Sequence, residues 1–243
     1  MSRVPRLLAP PWLALHVVVS GLAALFVGLG LWQLDRLEQR RAFERTVAER
    51  QARPPAALTR LPAAGGAELE YRRVVMEGRY VPAGDVVLIG RALEGRPGNH
   101  VLTPLSPTDG PLVMVDRGWV PFDPEGQVPA SAEAPAGPVR VTGVLLPSEG
   151  SGEVRPAEGG PPKTLTTVDL SLLDERSRAR VADLYLHLTA QEPAQPRGIP
   201  RLAPVRALEE GPPHLSYAIQ WFAFAAIGII GYAALLRRER RGG

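Results

Sequence analysis

Two long stretches of this chain carry no charged side chain, and they limit what it can fold into. Residues 7–34 and 212–236 contain no Asp, Glu, Lys or Arg, runs of 28 and 25 residues in a chain of 243. About 20 apolar residues suffice to cross the hydrocarbon core of a bilayer. A single soluble domain is therefore excluded, although the mean hydropathy of the whole chain is close to zero. A secretory signal has an apolar stretch of ~7–15 residues and then a small-residue cleavage site. The first run is longer and ends in Trp32-Gln33-Leu34-Asp35-Arg36, so it reads as an uncleaved helix over about residues 11–34. Ser20, Ala24 and Gly28 lie four apart on it, a small-residue stripe that would let another helix approach. The second run opens on Pro212 and Pro213, where a missing N–H costs little, and stops at Arg237.

The charge balance divides along the same lines. The chain has a net charge of +3. Arg3 and Arg6 contribute +2, and Arg237, Arg238, Arg240 and Arg241 against Glu239 contribute +3. Residues 35–210 then hold 22 basic and 24 acidic side chains, a net −2, with no polycationic surface for nucleic acid. Lys and Arg near the span ends set orientation. The tails and the flank at residues 35–50 nearly tie, and the Arg-rich C-terminal tail tips the expectation towards both termini cytoplasmic. Cysteine is absent, which excludes disulfides, thiolate metal sites, iron–sulfur clusters and c-type haem attachment.

Between the spans, residues 35–53 read as a helix carried on from the membrane and ended by Pro54-Pro55. A Pro/Ala/Gly linker follows to about residue 68. Short β-type runs then alternate with turn residues: 71–80, 85–91, 100–105, 112–120, 139–146 and 164–168. Such spacing predicts an antiparallel meander, sandwich or small barrel. Gly95-Arg96-Pro97-Gly98 reads as one of the turns. Residues 148–162 read as a mobile loop, 169–181 as a short helix, 184–189 as a last strand, and 191–212 as a Pro-rich return to the membrane.

Little in the chain points to turnover. The four histidines, His16, His100, His187 and His214, have no metal-ligand spacing, and no nucleophile elbow, phosphate loop or dinucleotide loop is present. His214 is the most informative. It opens the second span, and Tyr217 and Trp221, three and seven residues on, share its helix face. The first turn of a helix carries partial positive charge and favours the neutral imidazole, a donor to a metal centre such as haem iron. The opposing reading is an aromatic belt of Trp32, Tyr217 and Trp221 at the membrane interface. Trp32, Gln33 and Arg36 end the first span at the same depth as His214. Arg117-Gly118-Trp119 reads as a strand end in the domain core, His100 as a strand-edge residue and His187 as the polar face of a strand. His16 lies inside the first span without a visible partner.

These motifs resemble, in order and across nearly the whole chain, the Surfeit locus protein 1 family of cytochrome c oxidase assembly factors. The resemblance begins with Gly30-Leu31-Trp32-Gln33-Leu34-Asp35-Arg36 and continues through Tyr71-Arg72-Arg73-Val74, Gly90-Arg91 and His100 with Thr103-Pro104-Leu105. It ends with Val115-Asp116-Arg117-Gly118-Trp119-Val120-Pro121, Val141-Thr142-Gly143-Val144 and His214 to Phe222. Thr164 to Leu170 lacks the Trp often found there in the family, so the end of the soluble domain is expected to differ.

The resemblance implies a protein that is not an enzyme and that binds haem A transiently for insertion into the catalytic subunit of a haem-copper oxidase. His214 would be the axial iron ligand. Trp32, Tyr217 and Trp221 would pack the macrocycle, and Arg36, with Arg117 as a second candidate, would take the propionates. The haem A synthesis enzyme and membrane lipid are further expected partners. A haem-free scaffold for the same subunit is the alternative. The expected organisation is a multi-pass inner-membrane protein, a cytoplasmic tail at 1–10 and transmembrane helices at 11–34 and 212–236. Between them lies a β-rich α+β extracytoplasmic domain at 35–211, whose antiparallel sheet is open or closed part-way into a barrel. A second cytoplasmic tail spans 237–243.

Overall fold

A computed structural model describes residues 10–62, 66–123, 128–150, 154–155, 164–176, 180–195, 200, 202 and 213–242. The chain divides into two compact units, one built from the helices up to Thr46 and from Glu210 onward, the other from Val47–Glu209.

The first unit is a helix pair. Helix α1, Pro10–Ala52, runs without a break through the expected span and its continuation. Its second half is held by neighbours a turn apart: Arg40 pairs with Glu44 at 2.8 Å, and Gln39 donates to Asp35 at 2.8 Å. It stops before Pro54-Pro55, since residues preceding proline avoid the helical region. Helix α3, His214–Gly242, is its partner. Both helices are long and apolar enough to cross a membrane, and only 6% of the most apolar window of each is buried. The pair meets at aromatic residues. Phe26 stacks on Trp221 with ring centroids 5.7 Å apart, and Phe222 lies over Gly30 so closely that a Cβ there would fall 2.7 Å from its ring. The expected Ser20/Ala24/Gly28 stripe is not the contact, for Gly28 has open space where a side chain would stand. Gly30, where bulk must be absent, makes the approach instead.

The second unit is one nine-stranded sheet. Strands are β1 Ala56–Leu58, β2 Arg73–Tyr80, β3 Val86–Leu93, β4 Arg96–Pro107, β5 Val113–Pro121, β6 Pro138–Pro147, β7 Val154–Arg155 and β8 Thr164–Leu165. Helix α2, Leu170–Arg176, precedes the last strand, β9 Leu184–Glu192. The order is β1-β2-β6-β9-β5-β4-β3-β8-β7, and β2 also pairs with β4, so β2, β6, β9, β5 and β4 form a ring. The sheet is mixed, a correction to the antiparallel expectation: β1–β2, β3–β8 and β5–β9 are parallel. Parallel neighbours need long connections, and β9 reaches β5 only after β6, β7, β8 and α2.

Other expectations shift by a few residues. Gly95-Arg96-Pro97-Gly98 is not a turn. Glu94 and Gly95, at φ 52° and 75°, form a tight turn, and Arg96 already pairs with Leu93 in β4. Positive φ at both central residues matches the twist of a hairpin. The linker contributes β1, the expected helix at 169–181 is the shorter α2, and most of 148–162 lies outside the described residues, as does Pro212.

Alternation along the strands builds a core on each face. Val113, Val115, Leu145, Leu186 and Leu188 belong to one cluster, Met114, Val144, Leu146 and Tyr185 to the other. Gly143 sits where β6 passes β9, and a Cβ there would lie 2.3 Å from the His187 carbonyl oxygen. A Gly143→Ala chain should lose about 2–3 kcal/mol by overpacking, read by urea denaturation of the detergent-solubilised protein followed by its sheet circular dichroism.

Candidate functional site

His214 occupies the first turn of α3, where the Pro213 carbonyl accepts the Tyr217 N–H at 3.3 Å. Its Nδ1–H donates to Gln33 Oε1 of α1 at 2.8 Å. An amide oxygen only accepts, so this bond places the proton on Nδ1 and leaves the lone pair on Nε2. An imidazole ligand held through its other nitrogen is the arrangement that orients metal-ligating histidines.

The neighbours of His214 are only partly those expected. Trp32, beside Gln33 in sequence, is 49% exposed, and Tyr217 is 47% exposed. Arg36 donates to Gln39 at 2.8 Å, and its guanidinium lies 5.7 Å from the Trp32 ring centroid. Trp221 is engaged elsewhere, stacked on Phe26 and edge-on to Phe224 at 6.0 Å. His16, expected to lack a partner, packs between Trp12 at 6.4 Å and the edge of Tyr232 at 5.7 Å.

Arg117 belongs to the other unit. Its side chain is 0% exposed. It donates to the carbonyls of Ala132 at 2.9 Å and Glu133 at 3.0 Å and to Gln195 Oε1 at 3.0 Å, and it covers the Tyr80 ring at 5.3 Å. Fully buried, with both terminal guanidinium nitrogens bonded inside the fold, Arg117 is not placed to take a propionate. Burial lowers its pKa first, and Tyr80 and Asp85 act in the opposite sense.

The sheet unit holds a constellation that the sequence reading missed. His100 and His187 each donate through Nδ1 to the same oxygen, Asp116 Oδ2, at 2.9 and 3.1 Å. All three residues are at most 4% exposed. Neither histidine is the strand-edge or polar-face residue expected. β4 and β9 lie within the sheet order with both edges paired, and unbroken burial over Gly98–Leu105 and Leu184–Leu188 shows that both their faces are covered there. The motif around Asp116 explains the aim of the carboxylate. β5 has one extra residue between the Leu102–Asp116 and His100–Trp119 pairs. Gly118, at φ 113°, supplies the backbone turn of this bulge, and its N–H donates to Asp116 Oδ1 at 3.0 Å. Burial alone would raise the Asp116 pKa, but the hydrogen bonds from the two imidazoles outweigh it and hold the carboxyl well below the usual range.

A cavity of about 340 Å³ opens against this cluster. Arg91 and Glu149 also line it, paired at 3.2 Å, and the Tyr185 hydroxyl donates to Glu149 at 3.4 Å. Among the described residues no three His, Asp or Glu converge as a metal site. The signal available in the sequence was a histidine between leucines in β9, which reads as alternation until its strand is known to be interior.

A sheet-rich unit flanked by two apolar helices, with one histidine tautomer set by a glutamine of the opposite helix, defines a class of two-helix proteins with a central β unit. The pattern of the SURF1 family matches residues 21–226, and the chain belongs to that family. It is similar to an uncharacterized SURF1-like protein of Mycobacterium tuberculosis, 31% identical over 257 residues, covering 99% of this chain and 90% of that one. A SURF1-like protein of Rickettsia felis is 25% identical over 229 residues, with coverage of 91% and 96%. One of Monosiga brevicollis is 28% identical over 225 residues, with coverage of 87% and 83%.

The pKa of Asp116 predicts a pH signature. A carboxyl depressed in the folded state contributes stability that is complete above its unfolded value, about pH 4, and lost as pH falls through the folded value. Asp116→Asn should cost about 3 kcal/mol at neutral pH. The gap to the wild type should narrow below about pH 4, measured by urea denaturation across a pH series.

Proposed function

We propose that this protein is an assembly factor for a haem-copper oxidase that binds haem A at the α1–α3 pair and assists its insertion into the catalytic subunit. The observation that carries the reading is the bond from His214 Nδ1–H to Gln33 Oε1 at 2.8 Å. It leaves Nε2 as the electron-pair donor an axial iron ligand must supply. Family membership supports the assembly role, because the motifs that define the resemblance include both ends of this bond.

Each nearby side chain has a role that follows from its chemistry. His214 holds the iron, and Gln33 orients the ring. Trp32 and Tyr217, each about half exposed, offer apolar faces to the macrocycle. The Arg36 guanidinium, which retains donors beyond its bond to Gln39, takes a propionate. Trp221 supports the site from behind through Phe26. Haem is cargo here, and the chain's own contribution is to bind it, orient it and shield it from water. The two apolar helices anchor the protein in the cytoplasmic membrane. Both termini lie in the cytoplasm, and the β unit lies outside it, where the catalytic subunit and the haem A synthesis enzyme would be met.

Co-expression with a haem A synthesis pathway tests the proposal. The purified wild type should show a Soret band that His214→Ala abolishes. Gln33→Leu should shift the band and weaken binding about tenfold, as loss of an orienting outer partner does. A wild type that shows no Soret band in the haem A-producing cells, yet co-purifies with the oxidase subunit from cells unable to make haem, would establish the haem-free scaffold instead.

A further inference from the structure

The cavity in the β unit lies in a different compact unit from His214, and the haem reading leaves it without a task. Its polar walls are costly. A buried carboxylate with two imidazoles replaces apolar side chains that would pack at least as well, since buried ionic groups rarely add net stability. The arrangement that results has definite binding properties.

Most of the polar atoms in the wall are already engaged. Asp116 accepts from Gly118 N–H on one oxygen and from both imidazoles on the other. Glu149 accepts from Arg91 and the Val168 N–H on Oε2 and from Tyr185 on Oε1. Ser148 donates to the Val168 carbonyl and accepts from the Leu170 N–H. A neutral imidazole that donates through Nδ1 keeps its lone pair on Nε2, the nitrogen that His100 turns away from Asp116. The wall thus presents an acceptor that needs a donor.

Charge selects the donor. Two carboxylates, Asp116 and Glu149, face one guanidinium, Arg91, so among the Asp, Glu and Arg side chains of the lining negative charge exceeds positive. Tyr185 reports the same field. Burial first, then the charges of Glu149 and Asp116, push its hydroxyl pKa up, against the opposite effect of Arg91. A small anion would enter against this field. A single metal ion fits no better. The His100 and His187 ring centroids are 6.4 Å apart, and among the described residues no three His, Asp or Glu converge as a metal site. The remaining walls suit a short hydrocarbon ending in a cation. Leu88, Leu146 and Pro147 are apolar, and Tyr71 and Tyr185 supply aromatic rings. The volume of about 340 Å³ is at the small end of organic-ligand pockets.

We infer that the cavity walled by His100, Asp116, His187 and Glu149 binds a protonated nitrogen group, an alkylammonium or guanidinium, with an N–H directed at His100 Nε2. The group belongs either to a free small amine or to a Lys or Arg side chain presented by a partner.

The test uses the full chain in detergent micelles, with the histidine nitrogens labelled with nitrogen-15. n-Butylammonium and ethylguanidinium should shift the His100 Nε2 resonance saturably, with a dissociation constant in the millimolar range fitting so few heavy atoms. Tetramethylammonium, a cation without N–H donors, should bind at least about fivefold more weakly, the difference a hydrogen bond to an imidazole makes. Glu149→Gln, a change at the cavity rim that preserves shape, should weaken butylammonium about tenfold with unchanged circular dichroism. A lysine blocked at both backbone ends separates the sources. Binding as tight as butylammonium assigns the site to a partner's side chain, and its exclusion assigns the site to a free amine. No saturable shift with either cation, or a saturable shift with acetate in their place, overturns the inference.

Discussion

The sheet unit depends on where its last strand goes. β9 lies between β6, to which it is antiparallel, and β5, to which it is parallel, and without it the ring through β2 and β4 has a gap. The fit is tight. Gly143 is bare because the His187 backbone passes over it, and the same residue faces Asp116 across the parallel pair. Pairing across so large a sequence separation carries a loop-closure cost that local contacts do not. That cost is offset by apolar burial on both faces of β9, where Leu186 and Leu188 join one core and Tyr185 the other.

One physical device recurs in the two units. An oxygen that can only accept is set against a histidine Nδ1, and this decides which ring nitrogen keeps its lone pair. In the helix pair the oxygen is the Gln33 amide and there is one histidine. In the sheet it is the Asp116 carboxylate and there are two. The consequences differ because the acceptors differ. A neutral amide orients a ring without adding charge, whereas a buried carboxylate makes its surroundings negative and ties the cluster to pH. The Arg117–Tyr80 stack, one residue along the same strand, points to the opposite face and serves the core alone. The bulge at Gly118 lets adjacent residues take such unlike tasks.

Legibility followed the range of the interaction. The two apolar helices, the extension of the first to residue 52 and the positions of most strands along the chain came from local signals: charge-free length, helix-terminating prolines and turn residues. The place of His214 at the start of α3 was legible because a helix start is a local signal too. Trp221 was misread in part, since its helix face was evident but its stacking partner, Phe26, lies about 195 residues earlier in sequence. The small-residue stripe failed for a similar reason. Gly, Ala and Ser spacing marks faces that permit approach, and only packing decides which of them is used.

By itself the sequence determined the composition of each segment: two charge-free spans, basic tails, a near-neutral middle and the strand-by-strand alternation within it. These follow from residue type and short-range periodicity, which need no tertiary contact to be expressed. The tertiary structure alone decided that β5 and β9 run parallel, that Gly30 makes the helix contact, and that Gln33 meets His214. It also decided that His100, Asp116 and His187 share one oxygen, though they stand 16 and 71 residues apart. Such groups are brought together by register, and a strand's register is set by the partner it finds.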